Sequence, residues 1–218
     1  MKIEVTNLSK KIYNYEILKN INLELEGGYI YGIYGRNGSG KTMLLRCLAG
    51  IVSLSSGEII CDDKKLHRDM DILPNLGMII ENIGFWKMYS GFDNLKALAS
   101  INRKVDDERI GQILNTVGLN PKDKRSVRKY SLGMRQRLAI AQALMEYPEV
   151  LLLDEPTNAL DESGVEFFRK LMIEEKEKGT LILIASHNKE DIELLSDIKL
   201  HMVEGELYME DTNYDKGY

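Results

Sequence analysis

Apolar and polar positions alternate along the first part of the chain in the manner of β-strands. Residues 1–34 alternate closely enough to predict two or three strands, and Gly27-Gly28 is interpreted as a hairpin turn before the last of them. The run Tyr29–Tyr34 is typical of a buried strand. Short apolar runs at Gly57–Cys61 and Leu76–Ile80 predict two more strands.

A helical period replaces this alternation between about residues 91 and 146. The predicted helices cover Phe92–Arg103, Asp107–Val117 and Leu132–Glu146. In the third of them, Leu138, Ala141 and Leu144 would share one apolar face. This stretch is therefore expected to be an all-helical insertion.

Strands and helices alternate again over the last third of the chain. Val150–Leu153 is a continuous aliphatic strand, as expected in a sheet that is covered on both faces. The pattern then predicts a helix over 162–178, a strand over Thr180–Ala185, a helix over 189–196 and a hairpin around Gly205; the polar residues 210–218 are expected to fray. Such alternation indicates an α/β core with parallel strands.

Composition narrows the classes of protein to which the chain can belong. Its 218 residues suffice for one large domain or for a core with an inserted subdomain. A formal net charge of −5 argues against a nucleic-acid surface, so no nucleic-acid partner is expected. Two cysteines are too few for a disulfide framework; Cys47 is interpreted as a buried thiol, which favours a reducing, cytoplasmic compartment.

No apolar stretch approaches the eighteen or more residues that a membrane-spanning helix needs. The N-terminal Met1–Val5 contains an acidic residue and no long apolar run follows, so no signal peptide is expected. Any role at a membrane is therefore expected to come through a partner.

Residues 35–42 read Gly-Arg-Asn-Gly-Ser-Gly-Lys-Thr and match the phosphate-loop pattern G-x-x-x-x-G-K-[ST] at every fixed position. A chance match in a chain of this length has odds of roughly one in a hundred, and the preceding strand and following helix are the context that the motif requires. The residues expected to contact a nucleoside triphosphate are Gly35, Asn37, Gly38, Ser39, Gly40, Lys41 and Thr42. Lys41 would reach the β- and γ-phosphates, and the Thr42 hydroxyl would hold Mg²⁺.

Two carboxylates, Asp154 and Glu155, follow the aliphatic strand that ends at Leu153. The carboxyl ends of strands in an α/β sheet are where ligands bind. Asp154 is expected to hold Mg²⁺ through its water shell, and Glu155 to polarise an attacking water. The alternative is an acidic strand end that faces solvent.

The phosphate loop and the two carboxylates are followed or separated by three more motifs, and all five stand in the order of a known family. Tyr130–Met134 occupies the position of the signature Leu-Ser-Gly-Gly-Gln, Ala159–Asp161 matches the D-loop, and His187 matches the switch histidine. The chain resembles the nucleotide-binding subunit of an ATP-binding cassette (ABC) transporter over essentially its whole length. Tyr13 suits the aromatic residue that stacks on adenine, with Tyr15 as the alternative.

The resemblance implies an α/β fold with a phosphate-loop NTPase (RecA-like) core, an N-terminal antiparallel β subdomain and an inserted α-helical subdomain. Residues 1–218 would form a single nucleotide-binding domain. Its catalytic core would cover about 1–82 and 147–218, and its helical subdomain about 83–146.

The resemblance also implies that two chains sandwich two ATP molecules head to tail. Ser131 and Gly133 begin a helix, whose N-terminus is a second anion site; in the family it closes over the γ-phosphate bound by the opposite subunit. Asp161 would join that site, and His187 would contact the γ-phosphate. The alternative for His187 is a buried, hydrogen-bonded structural residue.

The sequence departs from the general family pattern in two places. Glu81 stands where the family has the Q-loop glutamine, and the signature has Leu132 for its first glycine and Met134 for its glutamine. Both departures resemble the bacitracin-resistance and lantibiotic-immunity branch of ABC exporters. A carboxylate at position 81 can still coordinate Mg²⁺, so the expected metal ligands are Thr42, Glu81 and Asp154.

The segment after Glu81 contains Phe85, Trp86, Met88 and Tyr89. In the family this region lines the groove that receives a short cytoplasmic helix of the membrane subunit, and this composition suits an interface anchor. The alternative is that these residues pack the helical insertion internally.

Together these features predict an ATPase that lies at the inner face of the cell membrane and energises a separate membrane permease. Its second nucleotide-binding domain would be an identical chain or a paralogue. The branch resemblance favours export of a peptide antibiotic or a similar amphipathic compound. The alternative is a soluble, non-transport ABC ATPase that acts on a cytosolic partner.

Overall fold

A computed structural model describes residues 1–81 and 84–210 of the chain. The strands in these ranges are β1 (Lys2–Ile12), β2 (Tyr15–Glu26), β3 (Ile30–Tyr34), β4 (Ser56–Cys61), β5 (Lys64–Lys65), β6 (Leu76–Ile79), β7 (Val150–Asp154), β8 (Leu181–Ser186), β9 (Ile198–Val203) and β10 (Glu206–Met209). The helices are α1 (Lys41–Ala49), α2 (Gly91–Asn102), α3 (Asp107–Thr116), α4 (Leu132–Leu144), α5 (Glu162–Glu177) and α6 (Lys189–Leu195), with a 3-10 turn at Val127–Lys129. The predicted α/β class is confirmed.

A six-stranded sheet with the order β10-β9-β3-β8-β7-β6 forms the centre of the molecule. The strands from β9 to β6 run parallel to one another, and β10 closes the edge as the predicted hairpin with β9. Parallel strands all end at the same edge of a sheet. The residues that follow β3, β6, β7 and β8 therefore meet at one place, which is where ligands bind in such sheets.

A second, antiparallel sheet has the order β2-β1-β4-β5. The prediction that Gly27-Gly28 forms a hairpin is wrong, because β2 pairs with β1 while β3 pairs with β8 and β9. The glycines instead carry the chain from one sheet to the other. The N–H of Gly28 donates to the carbonyl of Thr180 at 3.1 Å, and a Cβ on Gly27 would lie 2.6 Å from the carbonyl oxygen of Gly179.

The aliphatic run in β7 is buried because each face of the parallel sheet has its own hydrophobic core. Val150 and Leu152 point into a core shared with the antiparallel sheet and α1. Leu151 and Leu153 point into the other core, which is built with the helices α2 to α5. Burying each such side chain contributes about 1.5–3 kcal/mol, and this explains why the run lacks the alternation of a half-exposed strand.

Helices α2, α3 and α4 follow β6 and precede β7, as the sequence predicted, and each begins at a side-chain cap. Ser90, Asp106 and Ser131 accept hydrogen bonds from backbone N–H groups in the first turns of their helices. The division into a core and a helical subdomain stays a prediction, and its first boundary, at residues 82–83, lies outside the described residues. The expected fraying of the tail beyond Glu210 lies outside them too.

Both cysteines are buried free thiols, as expected for Cys47. Burial raises the pKa of each, Cys47 and Cys61 alike, to about 11, so neither is a reactive thiolate at neutral pH.

Candidate active site

The phosphate loop leaves the carboxyl end of β3 and enters α1. Gly38 and Gly40 have φ angles of 81° and 114°, which glycine adopts without steric cost. A Cβ on Gly38 would meet nothing within 4 Å, whereas one on Gly35 would lie 2.3 Å from the carbonyl oxygen of Met202 in β9. The loop is thus closed from behind and open in front, so an anion can approach its backbone and the N-terminus of α1.

The buried side chain of Lys41 spans this loop. Its Nζ donates to the carbonyl oxygens of Gly35 at 2.7 Å and of Arg36 at 3.2 Å. An ammonium group has three donors, so one remains for a phosphate oxygen. Lys41 therefore stabilises the shape of the loop and places a positive charge inside it.

Ser39 provides an independent indication that the loop is built for a polar ligand. Its side chain is buried, and its hydroxyl has no hydrogen-bond partner within residues 1–81 and 84–210. A buried polar group without a partner costs about 1–3 kcal/mol. A phosphate or a water in the loop would remove that cost.

Thr42 and Asp154 meet where the helix start faces the end of β7. The Thr42 hydroxyl donates to Oδ2 of Asp154 at 2.5 Å. Burial raises the pKa of the Asp154 carboxyl above its usual value; the hydrogen bond from Thr42 opposes this rise, and the negative charge of Glu155 adds to it. The charged form of the carboxylate is therefore disfavoured at this position.

These two side chains fit a magnesium ion. Within the described ranges no three His, Cys, Asp or Glu side chains cluster closely enough to hold a metal by themselves. Mg²⁺ takes oxygen ligands and is commonly held by one or two protein groups together with phosphate oxygens and waters. The Thr42 hydroxyl and the buried Asp154 carboxylate, beside a phosphate loop, provide two protein oxygens of this kind.

Glu155 and His187, predicted to act on the water and on the γ-phosphate, are in direct contact. The Glu155 carboxylate accepts from the backbone N–H of His187 at 2.8 Å and lies 2.9 Å from Nδ1 of its ring. The hydroxyl of Ser186 donates to the second carboxylate oxygen at 3.3 Å. Because an ionised carboxylate can only accept, Nδ1 carries the proton and Nε2 is left free.

The backbone of Glu155 holds this arrangement in a strained conformation. Its φ of 49° lies in the left-handed region, which costs a non-glycine residue on the order of 1–3 kcal/mol. The N–H of Glu155 donates to the carbonyl of Ala185 at 2.8 Å, which ties the end of β7 to the end of β8. The sheet edge thereby determines where the carboxylate points.

Glu81 follows β6 and has a partner that the sequence analysis did not identify. Its carboxylate lies 2.6 Å from the guanidinium of Arg46 on α1. Arg46 stands four residues after Thr42, so both side chains leave the same face of the helix. That spacing places Arg46 on the side of α1 that faces the site, but it does not identify Glu81 as its partner.

A cavity of ≈ 600 Å³ is lined by most of these groups, and His187 adjoins it through its contact with Glu155. Its lining carries five carboxylates and three cations: Glu16, Glu81, Asp154, Glu155 and Glu204, with Lys19, Lys41 and Arg46. The phosphate loop contributes Asn37, Gly38 and Gly40 to the same wall. The excess of carboxylates favours a polyphosphate that arrives with a divalent cation.

Four of the predicted site residues lie away from this cavity and its loop. Tyr13 is 96% exposed in the turn between β1 and β2, and Tyr15 is exposed as well. Ser131 caps α4, and a Cβ on Gly133 would lie 3.1 Å from the carbonyl oxygen of Ala159. Asp161 caps α5 by accepting from the N–H of Gly164 at 3.0 Å. The structure thus brings the signature against the D-loop, and Ser131, Gly133 and Asp161 do not line the cavity.

The sequence profile of the family described as "ABC transporter" matches residues 18–158, more than half of the chain. The chain belongs to the ABC transporter family. The resemblance inferred from the motifs is confirmed. This ABC subunit binds ATP and is an ATPase, and ATP-binding subunits of its kind dimerise and work with membrane permeases.

Several relatives match this ABC subunit over nearly its full length. It is 48% identical over 205 residues to the uncharacterized ABC transporter ATP-binding protein YybJ of Bacillus subtilis (strain 168), with 94% of both chains covered. It is 38% identical to the lantibiotic transport ATP-binding protein SrtF of Streptococcus pyogenes, covering 95% of this chain and 90% of SrtF. It is 39% identical to the bacitracin transport ATP-binding protein BcrA of Bacillus licheniformis, covering 95% and 69%. The predicted branch is confirmed.

The fold of this ABC subunit is that of a solved cassette. The dimeric structure of MJ0796, a bacterial ABC transporter cassette, superposes with a TM-score of 0.86 at 22% identity and covers 99% of this chain and 100% of that one. The predicted cassette fold, with its antiparallel sheet and helical insertion, is confirmed. No helix in the described part of the chain is long and apolar enough to cross a membrane.

Proposed function

We propose that this ABC subunit hydrolyses ATP to energise a separate membrane permease that exports a peptide antibiotic or a similar amphipathic compound. One observation carries the enzymatic part: the ends of three parallel strands, β3, β7 and β8, and the start of α1 bring a phosphate loop, Thr42-Asp154 and Glu155-His187 together. The transport part is supported by relatives named for lantibiotic and bacitracin transport.

Nucleotide binding is assigned to the phosphate loop and to the metal corner beside it, by which we mean Thr42 and Asp154 and the carboxylates next to them. Residues 35–40 would surround the phosphates with backbone N–H groups, and Lys41 would donate to them. Thr42 and Asp154 would hold Mg²⁺ between them, with Glu81 as a third ligand whose carboxylate lines the same cavity. When bound, Mg²⁺ supplies positive charge that offsets the phosphate oxygens.

Catalysis is assigned to Glu155, His187 and Lys41. Glu155 accepts a hydrogen bond from the attacking water and orients it, a role that requires contact within hydrogen-bond distance. His187 donates through Nδ1 to that carboxylate. Its second ring nitrogen would donate to the γ-phosphate, which requires the doubly protonated ring, because phosphate oxygens only accept. Lys41 stabilises the charge on the transferred phosphoryl group, which is electrostatic work.

The remaining predicted residues are assigned to the seam between two subunits. Ser131 and Gly133 at the start of α4, with Asp161 at the start of α5, lie apart from the cavity of their own chain. They are free to close over the γ-phosphate held by a second nucleotide-binding domain, identical or paralogous. Tyr13 would stack on the adenine once the nucleotide is bound.

An apolar cleft supports docking of a permease at the inner face of the membrane. A cavity of ≈ 410 Å³ lies between the end of α1, the start of β6 and helix α2, and its lining includes the exposed side chains of Ile72 and Ile101. Nearby in sequence, Trp86 is 49% and Met88 75% exposed. The alternative of internal packing applies to Phe85, which packs against the helical core.

Trp86 is held on a rigid backbone, as an interface anchor requires. The buried side chain of Asn94 accepts from the N–H of Trp86 at 2.8 Å and donates to its carbonyl at 3.1 Å. We expect Trp86→Ala to weaken co-purification with the permease by about tenfold, since an aromatic anchor contributes about 1–3 kcal/mol to an interface. Tyr208→Ala, which removes an exposed aromatic on β10, is the matched control. ATP affinity should be unchanged in both, and equal permease recovery from both would contradict the docking assignment.

The test of the whole proposal is an affinity pull-down of this chain from detergent-solubilised native membranes, with mass identification of the proteins that co-purify. A membrane-embedded partner in comparable amount supports the permease proposal. A soluble partner, or a chain that stays in the cytosol without one, would instead indicate a non-transport ATPase.

A further inference from the structure

Arg46 is a second basic residue of α1, after Lys41, that lines the cavity of the nucleotide site. Its guanidinium lies 2.6 Å from the Glu81 carboxylate, and both side chains line the cavity that contains Thr42 and Asp154. Arg46 also borders a smaller apolar cavity lined by Ile51, Val52, Met78, Ile80 and Gln142. Arg46 therefore lies between the ≈ 600 Å³ nucleotide cavity and this smaller apolar cavity.

Glu81 creates an electrostatic problem that a glutamine at the same position would not. Glu81 adds a third carboxylate beside Asp154 and Glu155. Its negative charge contributes to raising the pKa of Asp154, which shows that the two groups interact. An unpaired carboxylate would also repel an incoming polyphosphate.

We propose that Arg46 is a positioning residue of the nucleotide site, which neutralises Glu81 and fixes its carboxylate at the metal corner so that a glutamate can serve there. This inference rests on the proposed function, since it takes the ≈ 600 Å³ cavity as the site of Mg²⁺ and ATP.

The local structure indicates that this pair is not kept for folding stability. Its φ of 54° is left-handed, a conformation that a glutamate adopts only at a steric cost. The side chains of Arg46 and Glu81 are 32% and 57% exposed, and ion pairs with this exposure add little to folding stability. Loss of the pair should accordingly appear in ligand binding rather than in unfolding.

Binding of Mg²⁺ with a non-hydrolysable imido analogue of ATP, measured by calorimetry, tests the inference. Arg46→Gln should weaken binding by about tenfold, which corresponds to one unfavourable charge in a half-exposed site. Glu81→Gln removes the carboxylate that Arg46 serves, so the double variant should bind within about threefold of Glu81→Gln alone. Arg46→Lys keeps the charge without the planar fork and should recover part of the loss.

Arg125→Gln is the matched control, because Arg125 forms a comparable ion pair, 2.8 Å from Asp123, outside the cavity; its binding should equal that of the wild type. The only tryptophan, Trp86, gives a second readout, since its emission reports on the segment after Glu81. We expect the emission change on binding to be reduced in Arg46→Gln and recovered in the double variant.

The inference is overturned if Arg46→Gln has no effect, or if it weakens binding by the same factor in the wild-type chain and in the Glu81→Gln chain. A general folding defect of Arg46→Gln would also persist in the double variant, and thermal unfolding would reveal it. Lys41→Ala separates this outcome from failure of the proposed function. If Lys41→Ala binds like the wild type, the nucleotide site itself is misassigned; if it abolishes binding while the other effects are additive, only the role of Arg46 is wrong.

Discussion

Asp154 combines its proposed role at Mg²⁺ with a cost to folding. The carboxyl is buried, and burial raises its pKa in the folded chain above the unfolded value of 3.8. The folded state then binds this proton more tightly than the unfolded state, so stability falls as pH rises from about 3.8 through the raised pKa. At neutral pH the full cost is present, and a bound cation would offset it.

We therefore expect Asp154→Asn to stabilise the nucleotide-free chain at pH 7 while it lowers ATPase activity by about a hundredfold or more. The gain in melting temperature should shrink as pH falls through the raised pKa of Asp154, where the wild-type carboxyl becomes protonated. Thermal unfolding in a chelator between pH 4 and 8 measures this. The control is Asp106→Asn, since Asp106 is an exposed cap of α3 and asparagine caps helices equally well. A less stable Asp154→Asn at pH 7 would mean that the Thr42 hydrogen bond outweighs burial.

Single residues differed in how far their roles could be read from the sequence. Lys41, Thr42, Asp154 and Glu155 belong to motifs whose spacing reflects a local requirement, namely a loop or a strand end, and such requirements are visible in a sequence. The Arg46–Glu81 pair joins residues 35 positions apart on different elements, so it depends on where α1 lies against β6. No local pattern contains that information.

The packing of α4 on β6 depends on one glycine. A Cβ on Gly77 would lie 2.0 Å from the carbonyl oxygen of Ala143 in α4 and 2.8 Å from a methyl carbon of Leu151 in β7. The helix backbone therefore sits directly on the strand. This contact joins the helical insertion to β6, the edge strand of the parallel sheet that Glu81 follows.

Gly77→Ala should consequently destabilise the chain by about 1–3 kcal/mol, because an added methyl group must push the helix away from the strand. The same change at Gly111 in α3, where a Cβ would meet nothing within 4 Å, should stabilise it by about 0.5–1 kcal/mol. Urea unfolding of the two variants gives both values. Equal stability of Gly77→Ala and the wild type would show that α4 can shift without cost.

Most elements begin and end within two residues of their predicted bounds, because capping residues and apolar periods are local signals. The Gly27-Gly28 hairpin was predicted wrongly for a related reason. A glycine pair indicates that the chain turns, but the identity of the next strand's partner is decided by burial. The fully apolar β3 belongs to a sheet covered on both faces, and β2 has a half-exposed pattern.

At the scale of the whole molecule, the residues predicted for the site do not all line one cavity of the chain. The start of α4 lies against the D-loop, whereas the phosphate loop faces the cavity on the sheet edge. A second subunit is the natural source of the missing contacts. The stability of such a dimer should depend on the γ-phosphate that joins the two halves.

Glu155→Gln should trap an ATP-bound dimer. The amide oxygen can still accept from the N–H groups of His187, so the local structure should persist, while hydrolysis should slow by about 10²–10⁴-fold. Light scattering with Mg²⁺ and ATP measures the mass, and ADP in place of ATP should leave monomer. If only monomer is found at saturating ATP, the isolated chain needs a partner to close the sandwich.

The sequence alone determined the fold class, the family, the phosphate loop and the two carboxylates after β7, since each depends on residues close together in the chain. The tertiary structure decided the rest: the contact of Glu155 with His187, the pairing of Arg46 with Glu81 and the exposure of Trp86. These relations depend on strand order and helix placement, which bring together residues that are far apart in the chain. The free-energy minimum of the whole folded chain selects these contacts, and no single segment encodes that minimum.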